Sequence, residues 1–176
     1  MIHIIQDLLL LSRMEDKSFS LNTREVSLSQ LVRDTARMFE TAVHRKGLKL
    51  TLDLCDKMSP INGDSSRLED MLVNLLDNAV KYTESGGITV RLKAEASHVV
   101  LEVSDTGIGI PADLQERVFE RFFVADASRS KENGGTGLGL SIVKHIVMLH
   151  EGEISINSTP HHGTTFTVRL PLAPSS

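Results

Sequence analysis

The chain has 176 residues, 40% of them hydrophobic and 24% charged, with a formal net charge of −4 and a pI near 6.0. That suits one globular α/β domain with a short appendage, and it excludes a disordered chain and the basic footprint of a nucleic-acid binder. A single cysteine, Cys55, rules out an internal disulfide and a cysteine-built metal site and reads as a small buried hydrophobe.

In chain order, residues 1–15 carry Ile2, Ile5, Leu8, Leu9 and Leu11 at helical spacing. His3, Gln6 and Asp7 interrupt the stretch, so it is neither a signal peptide nor a membrane span, either of which needs a longer apolar run; as written, the chain reads as cytoplasmic. A helix this short needs a packing partner. It reads as the stub of a helical bundle, or else as a helix docked on its own domain. Residues 16–26 are polar and read as a linker. Leu28, Leu31, Val32, Ala36, Phe39 and Val43 form one helical face behind Ser27 or Ser29 as N-cap.

Leu48, Leu50, Leu52 and Leu54 alternate with polar residues, as in a half-buried strand. After a short extended piece at 60–63, Asp64 or Ser65 caps a helix through Tyr82 with Leu68, Met71, Leu72, Leu75, Leu76 and Ala79 inward. Residues 88–94 and 99–103 alternate around a tight connection and read as an antiparallel hairpin. Residues 105–125 are helix-poor, and a polar loop follows. The stretch 134–143, GGTGLGLSIV, then runs into an apolar helical stripe, Ile142, Val143, Ile146, Val147 and Leu149. Two more alternating segments, with Ile154 and Ile156 and with Phe166, Val168 and Leu170, complete the domain at about residue 172, before a tail at 173–176. Helices and antiparallel strands in this order predict a two-layer α/β sandwich: a mixed, mostly antiparallel sheet faced by about three helices, with an N-terminal helical stub.

Four stretches carry chemistry. Asn74, Asn78 and Lys81 lie at i, i+4 and i+7 on one helical face. Carboxamide oxygens suit Mg²⁺, which keeps several waters, and lysine supplies charge for phosphates; a merely solvated pair of asparagines fits the helix equally. Asp105 ends a strand before Gly107, Ile108 and Gly109, offering an acceptor that suits the exocyclic amine of adenine. Phe119, Phe122 and Phe123 precede the polar loop, at least one of them as core. Gly135, Thr136, Gly137, Leu138 and Gly139 open a helix whose first-turn N–H groups and dipole favour an anion; alone, the loop fits a phosphate site or a mobile surface loop. Thr164 is placed to support the adenine contact. Residues 124–135 have little to bury and carry Arg129 and Lys131, which predicts a lid that orders on phosphates.

NLLDNAVKYT, DTGIGI, ERFF and GGTGLGL stand in the order of the N, first G, F and second G boxes. From about Leu28 to Leu172 the chain resembles the catalytic, ATP-binding domain of bacterial two-component sensor histidine kinases. Their Bergerat-type fold is shared with DNA gyrase, the MutL proteins and a heat-shock chaperone. The resemblance implies ATP and Mg²⁺ as cofactors, with Asn78 as metal ligand and Asn74, Lys81 and Tyr82 beside metal and phosphates. Asp105, Gly107, Ile108, Gly109 and Thr164 would hold adenine. Arg129, Gly135, Thr136, Gly137, Leu138 and Gly139 would close over the triphosphate.

In hydrolysing relatives a glutamate activates water one turn before the metal-binding asparagine. Asn74 stands there and is no base, and general-base help is typically worth about 10²–10⁴-fold. The implied nucleophile is a histidine on a helical hairpin, and residues 1–15 resemble the end of that hairpin's second helix. The implied partners are that hairpin, a response regulator, and a second copy through the N-terminal helix of a longer parent. None of the seven histidines stands in the acceptor motif; His150-Glu151 is a decoy at a helix end. Many relatives carry arginine where Val124 stands, leaving Arg129 or Arg121 for that charge. A nucleotide-responsive binding module without transfer is the alternative, and a membrane anchor on a longer parent, with this domain on the cytoplasmic side, is left open.

Overall fold

The computed structural model describes residues 2–16, 18–55, 59–125 and 135–172. The expected lid falls almost wholly on residues 126–134, so it and Arg129 lie outside the described residues, as does the tail.

Helix α1 (Ile2–Met14) comes first. Strand β1 (Arg24–Val26) then pairs antiparallel with β3 (Ile61–Gly63), so the predicted linker contains a strand. Helix α2 (Leu28–Arg45) starts where Ser27 Oγ accepts the Gln30 N–H. Helix α3 (Ser65–Tyr82) starts where the Asp64 carboxylate accepts from Ser66 and Arg67 at 3.1 and 3.2 Å. Burial pushes the Asp64 carboxyl up, but backbone N–H donors from Asn22, Arg67 and Ser66 outweigh it and hold the group below the usual carboxylate range.

The main sheet has the order β2-β4-β5-β7-β6, with β2 (Lys49–Leu54), β4 (Gly87–Ala94), β5 (His98–Asp105), β6 (Glu153–Thr159) and β7 (Gly163–Pro171). Among the described strand pairs only β2–β4 is parallel. Alternation sorts the faces. Register aligns Val90, Val103 and Phe166 in one row, and Leu92, Leu101 and Val168 in the next; all six are buried. The other face is polar: Ser104 and Thr165 hydroxyls meet at 2.9 Å, and Arg91 donates to Asp53 and Glu102.

On the buried face lie α2, α3 and α4 (Gly139–Leu149). His150 ties two of them. Its Nε2 accepts the Asp64 N–H at 3.0 Å, so Nδ1 carries the proton and donates to Ile146 O at 2.8 Å. The histidine predicted to be a decoy is thus 7% exposed and held as a structural link.

The N-terminal helix docks on its own domain and also leaves apolar surface open. Leu11 and Met14 are buried, while Ile5 and Leu9 are 57% and 53% exposed. His145 Nε2 donates to Met14 O at 3.1 Å, and Glu15 pairs with Arg121. Of the predicted stripe, Leu11 packs inward, joined by Met14, which the spacing did not single out. Cys55, expected to be buried, is only half-buried at the end of edge strand β2.

Candidate nucleotide site

The site opens between α3 and the ends of β5 and β7, with the start of α4 as a further wall. It is a cleft of about 430 Å³, within the size range of small-molecule pockets. Of the residues predicted for it, Asn74, Asn78, Lys81, Tyr82, Asp105, Ile108, Gly109, Gly135, Thr136, Gly137, Gly139 and Thr164 all line it. Gly107 and Leu138 do not, and Arg129 is outside the described residues. Leu138 is fully buried in the core, so only its backbone is available to a ligand.

At one end, the last residue of β5 stands opposite the second of β7: Asp105 pairs in register with Thr164. Asp105 Oδ1 accepts the Gly107 N–H at 2.8 Å. Burial pushes its carboxyl above the ordinary value, against the opposing pull of the Gly107 and Thr164 N–H groups. Thr164 Oγ1 shares a hydrogen bond with Ser158 Oγ at 2.9 Å, and Ser158 Oγ accepts the Ile110 N–H at 2.8 Å. Ile108 N–H donates to Tyr82 O at 3.2 Å. Side chains at Gly107 and Gly109 would strike the backbone of Tyr82 and Thr159, and Gly109 has φ 69°. The loop lies too close to its neighbours for a Cβ. Its walls include Ile110, Val118 and Phe166, which suit a flat, largely apolar base carrying one amine.

The other end is polar. Asn74, Asn78 and Lys81 share the α3 face as predicted, with Asp77 beside them. Asn74 Nδ2 donates to Asp70 O at 2.8 Å, leaving Oδ1 against Gly139, where a Cβ would stand 2.6 Å from it. Asn74 therefore joins α3 to the start of α4. Thr136 Oγ1 accepts the Leu138 N–H at 3.2 Å. Gly137, at φ 69°, gives its carbonyl to the Phe122 N–H at 2.9 Å, and a Cβ there would meet Phe122 backbone at 2.7 Å. These two glycines are demanded first by the protein's own F and N stretches, a reason invisible in the loop alone. The open first turn of α4 adds N–H donors and a positive dipole end.

The aromatic stretch divides its labour. Phe119 packs edge-on against Phe166 at 6.2 Å, Phe123 lines the cleft under Arg117, and Phe122 is 60% exposed. Val124 lines the cleft, whereas Arg121 is not among the lining residues and pairs with Glu15.

Sequence reasoning missed three polar or apolar contributors in particular. Asp77 is adjacent to Asn78 and reads as an exposed helix residue. Val73 is a lone apolar residue on the polar face. Asp7 comes from α1, and no spacing rule reaches across that distance. Among the described residues no group of three or more His, Cys, Asp or Glu forms a metal cage. A single carboxamide, Asn78, fits an ion that arrives with waters and phosphate oxygens of its own.

The model of the histidine kinase-, DNA gyrase B-, and HSP90-like ATPase family matches residues 63–174. The circadian input-output histidine kinase CikA of Synechococcus elongatus is 40% identical over 174 residues, covering 97% of this chain and 23% of that protein. The sensor histidine kinase RppB of Synechocystis is 37% identical over 96% of this chain and 37% of its own length. The chain thus spans well under half of these curated relatives. Among solved structures, full-length ShkA in complex with AMPPNP superposes with a TM-score of 0.87 at 28% identity, over 99% of this chain and 36% of that one.

Proposed function

Because the chain belongs to the histidine kinase-, DNA gyrase B-, and HSP90-like ATPase family, and is an ATP-binding catalytic domain of the sensor histidine kinase kind, we propose that it donates the γ-phosphate of ATP to a histidine on a separate helical hairpin. The observation that carries this is the two-ended cleft. A half-buried carboxylate beside apolar walls suits adenine at the Asp105 end. Carboxamides, an ammonium and a helix N-terminus suit phosphates at the Asn74–Lys81 end.

Phosphoryl transfer is mainly positioning and charge stabilisation. Asp105 accepts the adenine amine and, with Thr164, fixes the base. Lys81 and the α4 N–H groups hold phosphate oxygens. Asn78 would hold Mg²⁺, which when bound neutralises phosphate charge. Asn74, engaged with Asp70 O and turned to Gly139, cannot take a proton from water, so the site retains ATP for another nucleophile. The exposed Ile4, Ile5, Leu8 and Leu9 of α1 suit association with hairpin helices, including those of a second copy. A response regulator is the downstream partner on this reading; the kinase ThkA, 25% identical with a TM-score of 0.79, has been solved in complex with its response regulator protein TrrA. No described helix is long and apolar enough to cross a membrane, and we place the domain on the cytoplasmic side.

The test is transfer in trans. With labelled ATP and Mg²⁺, the chain alone should bind nucleotide and acquire no acid-labile label. Adding an isolated hairpin bearing the acceptor histidine should produce label on the hairpin. Label on this chain alone, or none on any hairpin supplied, would overturn the proposal.

A further inference from the structure

Helix α1 does more than cover α4. It crosses the phosphate end of the cleft, and Asp7 is one of the lining residues. The Asp7 carboxylate lies 3.4 Å from Thr136 Oγ1, at the loop that leads into α4 and opposite the adenine end marked by Asp105. It is also close enough to Asp70 for like-charge repulsion, although burial is the larger cause of that carboxyl's upward shift. The placement is fixed from several sides. Leu11 and Met14 are buried, His145 holds Met14 O and Arg121 holds Glu15. These anchors come from the F stretch and from α4, the elements that frame the phosphate end.

We propose that Asp7 is a charge-selecting residue of the nucleotide site: while α1 is docked, its carboxylate disfavours triphosphate relative to less charged adenine nucleotides. The inference rests on the ATP-site reading above. A triphosphate, even with Mg²⁺, remains anionic and would sit near Asp7, in a cleft that screens charge less than open water does. Binding and docking then oppose each other. By linkage, triphosphate must weaken α1 docking by the same factor that docking weakens triphosphate binding. The helix is in this way a sensor of the ligand's charge as well as a cover.

The experiment is calorimetry on the full chain with adenosine, ADP and ATP, each with Mg²⁺. Asp7→Asn should tighten ATP binding roughly three- to thirtyfold at low salt, ADP less, and adenosine not at all, with the gain shrinking as salt rises. Asp7→Lys should extend the same graded order. In a Leu11→Asp background, where α1 is driven off α4, Asp7→Asn should add nothing, because coupled changes are not additive. An equal gain for all three ligands, no gain for ATP, or a full Asp7→Asn effect in the Leu11→Asp background would overturn the proposal. A wild-type chain that binds adenosine, ADP and ATP with no measurable affinity would remove the ATP-site reading itself, together with this inference.

Discussion

Lys46 should matter more to this domain than its exposed position suggests. Its Nζ donates to Val80 O at 2.7 Å, Lys81 O at 3.2 Å and Thr83 O at 3.3 Å. The remaining carbonyls of that turn are met elsewhere: Thr83 Oγ1 donates to Ala79 O at 2.7 Å, and Ile108 N–H to Tyr82 O. The last turn of α3, which carries Lys81 and Tyr82 into the cleft, is fully paired only with the ammonium in place. Helix C-termini need such partners, and a cation there also meets the negative dipole end.

Lys46→Met keeps most of the stem and removes the charge and donors. Hydrogen bonds to charged groups contribute about 1.5–3 kcal/mol. Since two of the three are long and the head is solvated, about 1–2 kcal/mol is the expected loss. For a domain of this size that lowers Tm by about 2–8 °C. Urea and thermal unfolding measure it, and Lys46→Arg should recover part of the loss. A Tm unchanged in Lys46→Met would refute the reasoning, because it would mean that water satisfies those carbonyls equally well.

Asp105→Asn should weaken ATP binding roughly tenfold to a hundredfold by calorimetry, the equivalent of losing about 1.5–3 kcal/mol from a charge-assisted bond. The same variant should melt higher without nucleotide. Burial raises the folded pKa of Asp105, so its charged form costs stability above that raised pKa, and the cost vanishes below the unfolded value. The Tm gain should therefore be full at neutral pH and disappear in acid, as a pH series of melts would show. Asn78→Ala should abolish the Mg²⁺ dependence of ATP affinity while leaving the circular dichroism spectrum intact. Glu151, at φ 56° just past α4, occupies a position that favours glycine; Glu151→Gly should stabilise by about 0.5–1 kcal/mol in urea unfolding.

The parts of the fold that repeat a local pattern were legible. Alternation in 88–94 and 99–103 predicts β4 and β5 because each buried row needs every second residue, and the caps at Ser27 and Asp64 announce their helices. Strand β1 was not legible: three residues give no period, and its partner β3 is far along the chain. Nor does alternation carry direction, so the parallel β2–β4 pairing had no signal in Leu48–Leu54. In the site, residues whose chemistry is rare on a helix face, such as Asn74 and Asn78, stood out, while Asp77 and Asp7 look like any surface aspartate. Arg121 was one of two arginines, with Arg129, that the sequence offered for the phosphate charge, but tertiary packing gave it Glu15.

The order of the sheet also bears on when the domain becomes competent during synthesis. Strand β7, the last of the described strands, sits between β5 and β6, and only its arrival sets Thr164 against Asp105. The β4–β5 hairpin can close from neighbouring residues, but this long-range pairing must wait. A ribosome-bound chain that has exposed every box up to GGTGLGL would still lack the Asp105–Thr164 end of its cleft. Nucleotide can therefore favour only chains that have finished the β6–β7 hairpin, and ATP would act late, as a clamp on the completed sheet rather than a nucleus for it.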